Sequence, residues 1–96
     1  MTKNEIINIL QRFKTDNQEK YNILKIGIFG SVARGTDNDR SDIDVVVALG
    51  KQDLFNIIGI KQDLEAELYM QVDIVSYRDK MNRFLKQRID KEAVYV

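Results

Sequence analysis

Residues 24–49 read LKIGIFGSVARGTDNDRSDIDVVVAL, and the order of their parts decides the fold. Leu24 to Phe29 alternates as a strand does, which predicts Leu24, Ile26 and Ile28 on one face. Gly30-Ser31 ends that strand, and Val32-Ala33-Arg34 makes a short helical turn that stops at Gly35. Thr36–Arg40 is dense in turn formers. Ser41 then leads into a second strand, Asp42-Ile43-Asp44-Val45-Val46-Val47-Ala48-Leu49. Its distal half is apolar on both faces, the pattern of a covered central strand. Gly50 closes it.

Outward from this stretch, helix and strand alternate. Thr2 with Glu5 three residues later is a capping box, and Ile6, Leu10 and Phe13 fall on one helical face, so a helix is expected over about 3–14. The polar run Thr15–Lys20 follows as a loop. A second long helix is expected over about 53–69, capped by Asp53, with Ile57, Leu64 and Leu68 toward the core and Gly59 weakening its middle. Gln71 to Tyr77 is a third strand. Asp79 is expected to cap a last helix that buries Met81, Phe84 and Leu85, and Ala93–Val96 to form a short edge strand. This order predicts one α+β domain over residues 1–96, a small sheet with helices packed on it.

Composition narrows the chemistry. Fifteen basic and fifteen acidic residues cancel within 96 residues, so no global field draws the chain to nucleic acid or to a membrane. Stand-alone nucleic-acid binding is therefore not expected. The chain has no cysteine and no histidine, which excludes disulfides, thiol and Ser-His-Asp catalysis and the commonest transition-metal sites. What remains are carboxylates, lysine, tyrosine, hydroxyls and a hard cation held by oxygen. No apolar run approaches the roughly 18–20 residues that cross a bilayer, and no leader pattern opens the chain, so a cytoplasmic protein without a membrane partner is expected.

Three features can carry that chemistry. Asp42 and Asp44, at i and i+2 of a strand, point to one side and can grip one hard cation or straddle a pair; they can equally be the solvated start of the strand. Gly30-Ser31, at a strand end that opens a helical turn, offers N–H groups and a hydroxyl to an anion, with Arg34 one turn on to reach a phosphate oxygen. The alternative is a plain turn with Ser31 as an ordinary N-cap. Asp73 interrupts the apolar strand Val72-Ile74-Val75, either as an exposed edge residue or as a third carboxylate for a two-metal centre. Arg78, Lys80, Arg83, Lys86, Arg88 and Lys91 make the last helix basic, a solvated face or a docking surface.

Taken together, Gly30-Ser31, the ten residues Val32–Ser41 and Asp42-Ile43-Asp44 resemble the signature of the DNA polymerase beta-type nucleotidyltransferases, and Gln71–Val75 resembles the strand of their third aspartate. At 96 residues the chain resembles the minimal nucleotidyltransferases, commonly the antitoxins of HEPN/minimal-nucleotidyltransferase toxin–antitoxin pairs. The resemblance implies a mixed sheet flanked by helices, and transfer of AMP from ATP to a hydroxyl, typically a tyrosine of a HEPN ribonuclease toxin. It implies that Gly30 and Ser31 hold the triphosphate. It further implies that Asp42 and Asp44 bind two Mg²⁺ ions, and that Asp73 completes the second site and helps deprotonate the acceptor. Two other functions fit the residues: an antitoxin that neutralises by binding alone, and a catalytic subunit acting on a small molecule.

Overall fold

The computed structural model describes residues 1–37 and 42–96. Helix α1 spans Lys3–Tyr21, strand β1 Ile23–Phe29, the short helix α2 Gly30–Arg34, and strand β2 Ile43–Leu49. Helix α3 (Leu54–Leu68), strand β3 (Val72–Ser76), helix α4 (Arg83–Glu92) and strand β4 (Val94–Tyr95) complete the order. The strands form a four-stranded sheet in the order β3-β2-β1-β4. β1 runs antiparallel to β2 and β4, whereas β3 runs parallel to β2, so the sheet is mixed. The expected turn at Thr36–Arg40 and the lead-in at Ser41 fall, from residue 38 on, outside the described residues.

Alternation along the strands separates the two faces. Ile26 and Ile28 of β1, and Ile43, Val45, Val47 and Leu49 of β2, pack with Ile6, Leu10 and Phe13 of α1 and Ile60, Leu64 and Leu68 of α3. The opposite face carries Phe29, Val46 and Val75, which meet Ile89 of α4. β2 is thus interior and covered on both sides, with Val45, Val46 and Val47 fully buried.

Four local expectations need correction. α1 does not end near residue 14: the polar run 15–20 is its solvated continuation, because Tyr21 returns to the buried face and stacks on Phe13 at 6.3 Å. Asn22, with φ 58°, caps the helix and donates its N–H back to Gln18 and Glu19. Leu24 does not share a face with Ile26 and Ile28; it is 60 % exposed, because a bulge between Ile23 and Lys25 hands the core position to Ile23. The last helix is capped by Asn82, whose side-chain oxygen accepts from the Leu85 N–H, and not by Asp79. Phe84 points outward, 79 % exposed, and Ile89 fills the core instead; the helix begins only at Arg83, so Arg78, Lys80 and the half-buried Met81 precede it. The capping box of Thr2 and Glu5, the Asp53 cap of α3 and the β4 edge strand are as expected.

Gly59 is a packing residue. A Cβ there would stand 2.9 Å from the Tyr21 hydroxyl and 3.0 Å from its ring. Tyr21 cannot readily retreat, since it is buried and its hydroxyl donates to Asp63 Oδ2 at 2.6 Å. Alanine favours an isolated helix over glycine by about 1 kcal/mol. Gly59→Ala is nevertheless expected to lower the melting temperature by several degrees, because the α1–α3 contact opens. Thermal unfolding followed by circular dichroism checks this, and a more stable variant would show that Tyr21 yields.

Candidate active site

The site lies where β1 ends and β2 begins. In the antiparallel ladder Phe29 stands opposite Asp44, and in the parallel ladder Asp44 stands opposite Asp73. Neighbouring residues in register share a face, so Asp44 and Asp73 both project to the α4 side of the sheet. Asp42, two residues before Asp44 and just ahead of β2, is exposed, and its charge bears on Asp44. The Ile43 N–H donates to the Gln71 carbonyl at 3.1 Å and holds the two strand starts together.

Gly30 follows Phe29 and turns the chain into α2 with φ +74°. A side chain is excluded there twice over. The backbone lies in the left-handed region, and a Cβ would collide with the Asp44 carboxylate. Ser31 sits inside the first turn of α2 and not at its cap, which is Phe29 without a side-chain hydrogen bond, so the ordinary N-cap alternative does not hold. Gly35 stops the helix in a left-handed conformation, as its sequence position suggested.

Arg34 is one turn on, but its guanidinium is engaged. Nη1 donates to both oxygens of Glu92, each at 3.0 Å. The Gly30 N–H donates to Glu92 Oε2 at 3.2 Å, and Arg88 Nε lies 3.5 Å from the same oxygen. In the sequence Arg88 reads only as part of a basic helix, and Glu92 does not stand out. The spacing of Arg88 and Glu92, one helical turn apart, was the available signal.

Electrostatics records the crowding of acids. Burial raises the Asp44 carboxyl above its ordinary value, and the charges of Asp73 and Asp42 add to this, while Arg88 and Arg34 pull the other way. Burial also opposes the charge on Glu92, but hydrogen bonding and charge from Arg34, the Gly30 N–H and Arg88 outweigh it and hold that carboxyl low. Among the described residues no three acidic side chains close into a ready metal cage. The donor set is nevertheless that of a hard cation: all oxygen, anionic, and mutually repelling until a cation neutralises it.

A glycine turn set against a carboxylate pair on a mixed sheet places anion donors and hard-cation ligands side by side. The profile of the "Polymerase beta, Nucleotidyltransferase" family matches residues 4–96, and the chain belongs to that family. It is 32 % identical over 97 residues to the protein adenylyltransferase MntA of Thermococcus cleftensis, covering 100 % of this chain and 97 % of that protein. Its fold is similar to that of a toxin–antitoxin crystallised with AMP-PNP, with a TM-score of 0.76 and 27 % identity, covering 92 % of this chain and 69 % of the other. A likeness in fold alone, with a TM-score of 0.72 at 22 % identity, links it to the structure of a Shewanella oneidensis tri-AMPylated HEPN toxin in complex with an MNT antitoxin; it covers 98 % of this chain and 71 % of that one. No helix among the described residues is long and apolar enough to cross a membrane.

The raised Asp44 pKa gives a signed expectation for the metal-free chain. The folded state binds the Asp44 proton more readily than the unfolded state, so this group adds stability as pH falls from neutrality toward about 4. At pH 7 its charge is a cost, and Asp44→Asn is expected to raise the melting temperature by a few degrees. Melting curves in a chelator at pH 7 and pH 4 check this: the advantage of the variant narrows at the lower pH.

Proposed function

We propose that this chain is a Mg²⁺-dependent protein adenylyltransferase that moves AMP from ATP to a hydroxyl, a tyrosine of a HEPN ribonuclease toxin, and so serves as the toxin's antitoxin in the cytoplasm. The observation that carries this reading is the juxtaposition of the Gly30 turn with Asp44 and Asp73 across adjacent strands. It occurs in a chain of the nucleotidyltransferase family whose near-full-length relative is a protein adenylyltransferase. The toxin–antitoxin neighbour crystallised with AMP-PNP supports both the nucleotide and the kind of partner.

Each residue then has a part. The Gly30 N–H, the Ser31 hydroxyl and Arg34 bind the triphosphate and aim its α-phosphorus at the acceptor. Asp42 and Asp44 would hold two Mg²⁺ ions, and Asp73 would complete the second site. When bound, the ions lower the pKa of the attacking hydroxyl and neutralise the charge that develops on pyrophosphate. The acceptor oxygen forms a bond to the α-phosphorus, the bond to the bridging oxygen breaks, and pyrophosphate leaves with the electron pair. Asp73 accepts the hydroxyl proton. A docked partner holds its own hydroxyl in line, and such positioning is worth on the order of 7–11 kcal/mol.

Two sets of variants test this. Asp42→Asn and Asp44→Asn are each expected to cut transfer by orders of magnitude while the chain stays folded, since each removes a charged ligand from the metal clamp. Gly30→Ala is expected to be more damaging than Ser31→Ala. The first is strained at φ +74° and runs into Asp44, whereas the second loses one hydrogen bond of about 1 kcal/mol. The assay is intact mass of the chain co-purified with its toxin, with ATP and Mg²⁺ added. Gain of AMP units on the toxin, lost in Asp42→Asn, is the expected result. An unmodified but inhibited toxin would favour neutralisation by binding alone, and AMP found only on a small molecule would favour the other catalytic reading.

A further inference from the structure

Glu92 lies at the C-terminal end of α4, far in sequence from the signature residues, yet its carboxylate rests on them. It accepts the N–H of Gly30 and two hydrogen bonds from Arg34, and it faces Arg88. Its side chain is 18 % exposed, against 43 % for Arg34 and 46 % for Arg88, so the carboxylate is less exposed than either cation beside it. Arg88 lies beside the same spot. Its guanidinium sits 5.7 Å above the Phe29 ring, and Nη2 stands 3.4 Å from where a Cβ on residue 30 would be. A backbone N–H and two guanidinium groups converging on one oxyanion is the donor set that recognises a phosphate.

We propose that Glu92 is an internal counter-anion that holds Arg34 and Arg88 over the Gly30 amide and gives up that place to the triphosphate of the nucleotide, with Arg88 joining Arg34 as a phosphate-binding residue. This rests on the nucleotidyltransferase reading of the site. The arrangement has two opposed consequences. Glu92 neutralises two neighbouring cations and keeps both side chains ordered, which lessens the entropy lost on binding. It also competes with the incoming phosphate for the same donors, so nucleotide binds only as the carboxylate swings away. Competition dominates, because the occupied donors include the Gly30 N–H, which serves one acceptor at a time at short range.

Calorimetric titration of the full chain with ATP, and separately with inorganic tripolyphosphate, each with Mg²⁺, tests this. Glu92→Gln is expected to bind both about tenfold more tightly and Arg88→Ala about tenfold more weakly, the scale of one charge-assisted hydrogen bond. A second measurement needs no variant. As tripolyphosphate is titrated into wild-type chain, the Glu92 carboxyl carbon and the Gly30 amide are expected to shift together in the NMR spectrum, with one midpoint. Unchanged or weaker binding by a folded Glu92→Gln, unchanged binding by Arg88→Ala, or a Glu92 signal that stays fixed while wild-type chain binds, overturns the proposal alone. Weaker binding of Mg²⁺ by itself in Glu92→Gln would make Glu92 a metal ligand and also overturn it. A folded wild-type chain that binds neither ATP nor tripolyphosphate removes the nucleotidyltransferase reading, and the role of Glu92 with it.

Discussion

Phe29 pairs with Asp44 in the antiparallel ladder, and that register sets the residue after Phe29 against the Asp44 carboxylate. Only a residue without a side chain fits there, and the left-handed turn it makes aims its N–H out of the sheet toward the α4 side. A slip of one residue would send Asp44 to the core face and bring Ile43 or Val45 out in its place. The buried Ile43, Val45 and Val47 hold the ladder against such a slip, since each would have to leave the apolar layer under α1 and α3. Burial on one face of β2 therefore positions the chemistry on the other.

The same face shows how charge is managed in a chain of zero net charge. The charges of Asp73 and Asp42 act against that of Asp44, which is the least exposed of the three. Arg34 and Arg88 offset part of this, and Glu92 offsets them in turn. Apart from Asp42, which precedes β2, these charges come from α2, β2, β3 and α4, and α4 packs on the sheet through Ile89, Phe29 and Val46. Stability is given up at the carboxylates, where burial and neighbouring acids oppose the charge of Asp44.

Close approaches elsewhere serve the same framework. Gly27 lets β4 pair with β1, since a Cβ there would meet the Val94 carbonyl and stand 2.9 Å from the Tyr95 Cα. β4 begins directly after Ala93, so its pairing fixes the end of α4 and with it the place of Glu92. Lys14 of α1 donates to the Val96 carbonyl at 3.0 Å and ties the chain end to the first helix.

By itself the sequence determined the parts and the chemistry. The capping box at Thr2, the Val-rich run after Asp44, the glycine turn at Gly30 and the spacing to Asp42 and Asp44 are short-range patterns, and local sterics and alternation are enough to read them. What depended on contacts distant in sequence came only with the tertiary structure. The length of α1 was set by Tyr21 finding Phe13 and Gly59, and the face of Leu24 by a bulge against β2. The cap of α4 is Asn82, in the helix whose Ile89 packs on Phe29. Asp73 was legible as a third carboxylate, but the parallel direction and register that set it opposite Asp44, and the placing of Glu92 on the Gly30 amide, join residues 29 and 62 positions apart. No periodicity spans such distances, because those partners are selected by the packing of whole elements and not by the residues next to them in the chain.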